Sequence, residues 1–475
     1  MRLPSASTQL TIKLLFTAGS ARDPVGKEGL AVLSAAMIAR AGSKDLRIDE
    51  ITRALFPMAG SFDARVDREM TTFTGVIHRD NLDAFADIAL GQLLSPGFRE
   101  DDFTRLKQNQ INALAQDLRA NNEEELGRER LQATVFAGTP YGHPTLGTLG
   151  GIEAVTLDDV RDFVARRYTR AALSVGLAGD VPEAFVARLT EALAALPVGD
   201  PEPASPPPAG RRPRGMEVEI IAKETRATAI SLGCPITVTR AHPDFAALWL
   251  ARAWLGEHRD SSGRLFQALR EARGLTYGAY AYVEAFPRGM FQFAPDANIA
   301  RRAQLFELWV RPVALEHAVF ALKAAYHELR SLVENGLTPE AFEATRAYLM
   351  KNVFILTRTQ EQQLGYALDS RWYGMGEFTA TMRERLRALD VAQVNGALRR
   401  HVTPDDLSVV MVTRDAAGLR DELLSGAATR INYNAPKPAD LLAEDELIGA
   451  VRLPLSADGI RITPVAEVFT AGPAL

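Results

Sequence analysis

Arg270 and Tyr277 stand in the run 264–278, Arg-Leu-Phe-Gln-Ala-Leu-Arg-Glu-Ala-Arg-Gly-Leu-Thr-Tyr-Gly. An arginine presents a rigid fork of N–H donors, and a tyrosine adds a hydroxyl donor. Both suit the carbonyl oxygens of a peptide bound as an added strand. The spacing requires a turn, and Arg273-Gly274 predicts one: a helix over 262–273 ends on a C-cap glycine, and Tyr277 opens a strand over 277–283. Taken alone, such a pair reads as a surface helix cation and a core-edge aromatic. The run around it is what argues for more.

Other chemistry is sparse. The single cysteine, Cys234, excludes an internal disulfide and a cysteine zinc cluster, and reads as a small core residue. The seven histidines (His78, His143, His242, His258, His317, His327 and His401) include no His-x-x-x-His pair. His317 and His327 are about 15 Å apart along one expected helix, too far to share an ion, so Glu316-His317 and His327-Glu328 read as polar groups on solvated helix faces. Glu123-Glu-Glu125 follows two asparagines and reads as the acidic first turn of a helix. There is no Gly-x-Ser-x-Gly elbow, no phosphate-binding Gly-x-x-x-x-Gly-Lys and no dinucleotide fingerprint. Gly147-Thr-Leu-Gly-Gly151 reads as a turn.

The run 264–278 resembles the substrate-binding segment in the second domain of pitrilysin/insulinase-type zinc peptidases, which include the mitochondrial-processing peptidases. The resemblance implies that Arg270 and Tyr277 hold a substrate backbone near a metal. Ala18-Gly-Ser-Ala-Arg-Asp-Pro24 looks like the entry to that family's metal helix, and Gly29-Leu-Ala-Val-Leu-Ser-Ala-Ala-Met37 takes the helix's place. Active members carry His-x-x-Glu-His there, two zinc ligands and a base. Here the positions are Val32, Leu33, Ser34, Ala35 and Ala36, none of which binds zinc or moves a proton. The family's third ligand is a Glu about 76 residues further on, which counted from Ala36 gives Asn112, a poor ligand. Tyr141-Gly-His-Pro144 resembles the loop after the third-ligand helix, where the His is structural.

These segments need elements to position them, and the chain supplies them twice. Residues 157–175 overlay 391–409 at one constant offset: Val160 meets Val394, Arg166 meets Arg400, and Leu173 meets Leu407. Each piece predicts an amphipathic helix, a turn and a strand. Phe98-Arg-Glu-Asp-Asp-Phe103 and Leu337-Thr-Pro-Glu-Ala-Phe342 match as helix starts, the second with Thr338 as N-cap. Strands are expected at 10–16, 69–77 and 173–177, then at 217–221, 229–232, 290–293 and 407–412. The order predicts an α+β fold of two tandem homologous domains, each a mainly antiparallel sheet with helices packed on one face. The resemblance implies the same architecture, closing as half of a clamshell. Expected boundaries are a first domain over 1–199, a proline-rich linker over 200–216, a second domain over 217–429 and an extended tail over 430–475. The linker's arginines read as solvated spacer. Family domains carry one more strand before residue 10, so an upstream segment is a candidate omission.

The 475 residues are 47% hydrophobic and 24% charged, ordinary for a globular protein. A net charge of −5 makes no case for nucleic acid or an anionic membrane. No apolar run reaches the length of a membrane span. The N-terminus does not resemble a secretory signal, and the compartment stays open between cytoplasm and, with a leader upstream, periplasm.

Two readings of function follow. The first is a zinc-less subunit of a heterodimeric metallopeptidase, binding no cofactor itself. Arg270 and Tyr277 would be donated to a partner that carries the zinc motif. The second is a non-enzymatic peptide-binding or scaffold protein of the same fold. Maturation of one peptide precursor and general peptide degradation are not separable from the sequence.

Overall fold

The computed structural model describes residues 1–200 and 205–471, so residues 201–204 of the expected linker lie outside it. The described strands form two sheets. The first contains β1 (Arg2–Pro4), β2 (Gln9–Phe16), β3 (Ser61–Val66), β4 (Thr71–His78) and β5 (Leu173–Gly179), in the order β1-β5-β2-β4-β3. The second contains β6 (Met216–Ala222), β7 (Thr228–Ile236), β8 (Ala279–Tyr282), β9 (Gln304–Val313), β10 (Ser408–Thr413) and β11 (Leu455–Pro464), in the order β11-β6-β10-β7-β9-β8. The pairs β1–β5, β6–β10 and β6–β11 are parallel, and the rest are antiparallel. Raising each number of the first order by five gives β6-β10-β7-β9-β8. The duplication read from 157–175 and 391–409 is thus a duplication of topology. Arg2–Pro4 stands where β6 stands in the second sheet, the place of the strand expected before residue 10.

The helices between the strands are α1 (Leu30–Ala39), α2 (Ile48–Leu55), α3 (Leu82–Leu94), α4 (Glu100–Asn112), α5 (Glu123–Val135), α6 (Leu149–Ala154), α7 (Leu157–Arg167) and α8 (Glu183–Leu193) in the first half. The second half has α9 (Phe245–Gly256), α10 (Ala318–Asn335), α11 (Pro339–Leu356), α12 (Gln360–Trp372), α13 (Phe378–Ala388), α14 (Val391–His401), α15 (Ala416–Ser425) and α16 (Ala439–Gly449). The matched helix starts begin α4 and α11, and Thr338 caps α11 by accepting from the Ala341 N–H. Among the described residues no helix is long and apolar enough to cross a membrane.

One expectation fails informatively. Helices were expected on one face of each sheet, but both faces are covered, and the second cover is exchanged between halves. Helix α5 lies on β7 and β10, while its counterpart α12 lies on β5 and β2. Strand β10 shows the consequence. Val409 and Met411 join the core of the second half; Val410 and Val412 join a separate core with Leu126 and Leu131 of α5. Every residue of β10 is therefore buried, and its sequence reads as a continuous apolar run. On the first sheet, Leu15 and Ala178 meet Leu364 and Leu368 of α12.

Buried ion pairs join the exchanged parts. Arg301 forks onto Asp67 through two 2.7 Å bonds, and Arg128 of α5 donates to Glu307 of β9 at 2.7 Å. Burial pushes the Asp67 carboxyl up, but Arg301 outweighs it and leaves the group below its usual range.

Two further expectations are corrected. Residues 290–293 form no strand; they lie in a turn-rich connection between β8 and β9, where Arg288 has a φ of +59°. The tail is extended only in part, because it contains α16 and then β11, which closes the second sheet. Its end returns to the first half, where Phe469 and Thr470 accept from the Leu149 and Gly150 N–H groups. The described part of the linker is mostly exposed, and two of its arginines tether it. Arg212 donates to the carbonyls of Pro235 and His401, and Arg211 pairs with Glu217.

Candidate functional site

The run 264–278 folds as one short helix and a turn, but not in the expected register. Phe266–Glu271 is a π-helical turn, which widens the spiral and shifts the side chains that follow. Leu265, Leu269 and Ala268 anchor it in the core. Gly274, at φ +68°, ends it: its N–H donates to the Arg270 carbonyl at 2.7 Å, and the Leu275 N–H donates to that of Leu269 at 2.9 Å. Tyr277 precedes β8 rather than opening it, since β8 starts at Ala279.

The run holds three arginines, and the structure separates their roles. Arg264 forks onto buried Glu328 at 2.7 and 2.8 Å. Arg273, 1% exposed, binds Asp445 at 2.7 Å and Glu444 at 2.8 Å, both on α16. Those two are structural. Arg270 faces outward with 35% of its side chain exposed, and its nearest carboxylate is Glu271 at 3.9 Å. The sequence placed Glu328 on a solvated helix face; it is buried because Arg264 neutralises it.

Arg270 and Tyr277 meet. The Arg270 Nη1 donates to the Tyr277 carbonyl at 2.9 Å, and the guanidinium lies 4.4 Å over the tyrosine ring and 4.7 Å over that of Phe266. Tyr277 is 65% exposed. A second cation, Arg311 of β9, lies 5.0 Å from the same ring and forks onto Glu124 of α5 at 3.0 and 3.1 Å. Sequence reasoning missed both Arg311 and Glu124. Asn122 does cap α5, accepting from the Glu125 N–H at 3.1 Å. Glu124 and Glu125, however, turn inward to Arg311 and the Met290 N–H, and burial pushes both carboxyls up. Only tertiary contact reveals this, since an acidic first turn looks the same either way.

Helix α1 occupies the place expected for a metal helix. Asp23 caps it, accepting from the Gly29 and Ala31 N–H groups at 2.7 Å each, and burial raises its carboxyl to about 8. Val32 and Ala36 share one half-buried face, while Leu33 and Ala35 are buried. Asn112 is exposed and accepts from Gln108 at 3.0 Å. The α4 residue that reaches α1 is Gln110, whose Nε2 donates to the Gly29 carbonyl at 2.9 Å. This donor set does not fit a zinc ion: Val32, Ala35 and Ala36 supply no ligand atom and no base.

Residues 4–149 match the family described as Insulinase (Peptidase family M16), and residues 154–349 match the Peptidase M16 inactive domain. The chain belongs to the M16 peptidase family. It is 22% identical over 409 residues to the "Non-peptidase homolog YmxG" of Helicobacter pylori, covering 85% of this chain and 88% of that one. It is 26% identical over 390 residues to an "Uncharacterized zinc protease" of Streptomyces coelicolor, covering 79% and 75%. A solved "peptidase M16 inactive domain" from Pseudomonas fluorescens shares the fold at a TM-score of 0.74 and 23% identity, covering 86% of this chain and 94% of that one. Within this M16 family the chain is a member without the zinc-binding motif.

The remaining reactive groups are committed. His242, Asp244 and His401 are the one group of metal-ligand types drawn together among the described residues. They clamp α9 to α14: His401 Nε2 bonds Asp244 at 2.7 Å, Arg400 forks onto the same carboxylate, and the Asp244 N–H donates to His242 Nδ1. His143 is buried, and burial lowers it to about 4, in keeping with a structural histidine. Cys234 is fully buried, and burial raises its thiol. A cavity of about 1000 Å³ lies beside β3, walled by α5, the start of α12 and the connection between β8 and β9.

Proposed function

We propose that this chain is the zinc-less subunit of a heterodimeric M16 peptidase. Arg270 and Tyr277 are its substrate-binding pair, offered to a peptide held at the zinc of a partner subunit. The partner supplies His-x-x-Glu-His and therefore the metal and the base.

The observation that carries the reading is a contrast between half-sites. The α1 helix offers Val32, Ala35 and Ala36 where chemistry would need ligands. Arg270 and Tyr277, by contrast, stay exposed while the other two arginines of the same run are spent on ion pairs. A guanidinium and a phenol held together at a surface can donate to successive carbonyl oxygens and stabilise a developing oxyanion. A scaffold role remains the second reading, favoured by the bond from Arg270 to its own chain at Tyr277.

The test mixes the purified chain with the zinc-bearing M16 subunit of its source and follows cleavage of quenched fluorescent peptides. Neither chain alone should turn over. The pair should, and Arg270→Ala or Tyr277→Phe should lower kcat by about 10²-fold, the cost of losing one oxyanion donor. Stimulation that survives both substitutions would remove the roles assigned here.

A further inference from the structure

Lys13 is a buried amine that no role assigned above uses. It stands in the middle of β2, the central strand of the first sheet, and its side chain is 5% exposed yet lines the cavity beside β3. Register sets its neighbours. Thr74 of β4 lies directly across from Lys13, and Asp63 of β3 lies across from Thr74. Thr72 is two residues away from Thr74 along β4, so its side chain rises from the same face, with a Cα separation from Lys13 of about 7 Å.

The surroundings favour an uncharged amine. The Lys13 acceptors are Asn298 at 3.0 Å and Glu361 at 3.4 Å. Burial lowers its pKa most strongly; Glu361 and Asp369 pull the other way, and Arg65 adds to the lowering. A neutral amine has two N–H bonds, one for each acceptor, and keeps a lone pair for attack. Thr72 is the second observation. It is 2% exposed, lines the same cavity, and its Oγ1 has no hydrogen-bond partner among the described residues. A buried hydroxyl left unpaired is costly, and a ligand oxygen would relieve it.

The lining selects the ligand. An amine and a hydroxyl donor on one face suit a carbonyl group, whose carbon takes the nitrogen and whose oxygen takes the hydrogen bond. The near-complete burial of Lys13 favours an aldehyde over a more crowded ketone. Acidic side chains outnumber basic ones around the cavity, which disfavours a carboxylate or phosphate on the ligand. Val76, Phe291 and Phe293 offer it apolar surface, the two phenylalanines being 74% and 77% exposed.

We propose that Lys13 captures an uncharged aliphatic aldehyde as an imine, with Thr72 donating to the carbonyl oxygen and Glu361 carrying the proton. The bond from Nζ to carbon forms as the carbonyl π electrons move onto oxygen. That oxygen then leaves as water with the two hydrogens of the neutral amine, and the nitrogen lone pair closes the C=N bond. Glu361 is 56% exposed and exchanges the proton with solvent. The step balances without oxidant or reductant. It involves neither a partner subunit nor zinc, so it stands apart from the divided peptidase site.

The test uses the full chain alone. It is incubated with hexanal and sodium cyanoborohydride, which fixes imines, and the alkylated lysines are mapped by mass spectrometry. Lys13 should be labelled at least about 10²-fold faster than exposed Lys44 and Lys351, the usual contribution of a positioned acid or base, and its rate should saturate with hexanal. Glyoxylate, an aldehyde that carries a carboxylate, should show no preference for Lys13. In urea the preference for Lys13 should vanish, because it comes from the fold. Thr72→Val should slow labelling of Lys13 about fivefold, the loss of one hydrogen bond, and leave Lys44 and Lys351 unchanged. Lys13 labelled no faster than Lys44, a rate that never saturates, or glyoxylate favoured over hexanal overturns the inference. Those comparisons need only the unaltered chain, so a variant that fails to fold does not decide the matter.

Discussion

The Arg270 guanidinium donates to the Tyr277 carbonyl at 2.9 Å while lying 4.4 Å over the tyrosine ring. The pair is therefore preset, and the rotamer entropy of a free arginine is already spent. Its position on the surface gives it little structural work. Arg270→Ala and Tyr277→Ala should each change stability by no more than about 1 kcal/mol, the size of an exposed cation–π contact. Urea denaturation of the two variants checks this. A large loss would mean that the pair is part of the core and not of a site.

The join between halves should behave oppositely. Arg301 and Asp67 are both buried and fully forked. Removing one partner strands a charge out of water. Asp67→Ala or Arg301→Ala should cost about 3–5 kcal/mol. The double replacement by apolar residues should cost less than either, as read from denaturation midpoints.

The zinc motif should not be restorable by simple grafting. Val32 and Ala36 are half-buried, so Val32→His and Ala36→His should fold with losses under about 1.5 kcal/mol. Ala35 is 2% exposed within the apolar core of the first half, and Ala35→Glu places a carboxylate there. Its cost should be about 3 kcal/mol or more, measured by thermal unfolding.

How much of this was legible in the sequence follows from which forces are local. The duplicated helix and strand at 157–175 and 391–409 were readable because periodicity and capping act within a few residues. The exchange of α5 and α12 was not, since an amphipathic helix does not say whose sheet it covers. The strand expected at 290–293 rested on aromatic β-propensity, and Phe291 and Phe293 instead project from a turn. Within the run 264–278 the sequence marked Arg270 by resemblance. Only Glu328, Glu444 and Asp445 show why Arg264 and Arg273 are the structural ones. Gln110 was passed over for Asn112 because counting along a chain ignores which face of α4 turns inward.

Acid should loosen the wall that carries Phe291 and Phe293. His258 bridges Tyr282 at 2.7 Å and the Gln292 carbonyl at 2.9 Å, and burial lowers it to about 4. The folded state thus prefers the neutral ring. Between the ordinary value near 6.5 and about 4 the unfolded chain binds the proton first. Stability is intact above that window and is lost as pH falls through it. His258→Phe should be less stable at pH 7, with its two former partners unpaired, yet show a shallower fall from pH 6.5 to 4. Denaturation midpoints across that range check the slope.

On the proposed reading, the missing zinc half of the site belongs to another chain. The most direct measurement is to recover this chain from its native source, identify what accompanies it by mass spectrometry, and assay zinc in the complex. An M16 subunit with an intact His-x-x-Glu-His should co-purify, with about one zinc per pair. Recovery of the chain alone, or in an assembly without zinc, would contradict that reading.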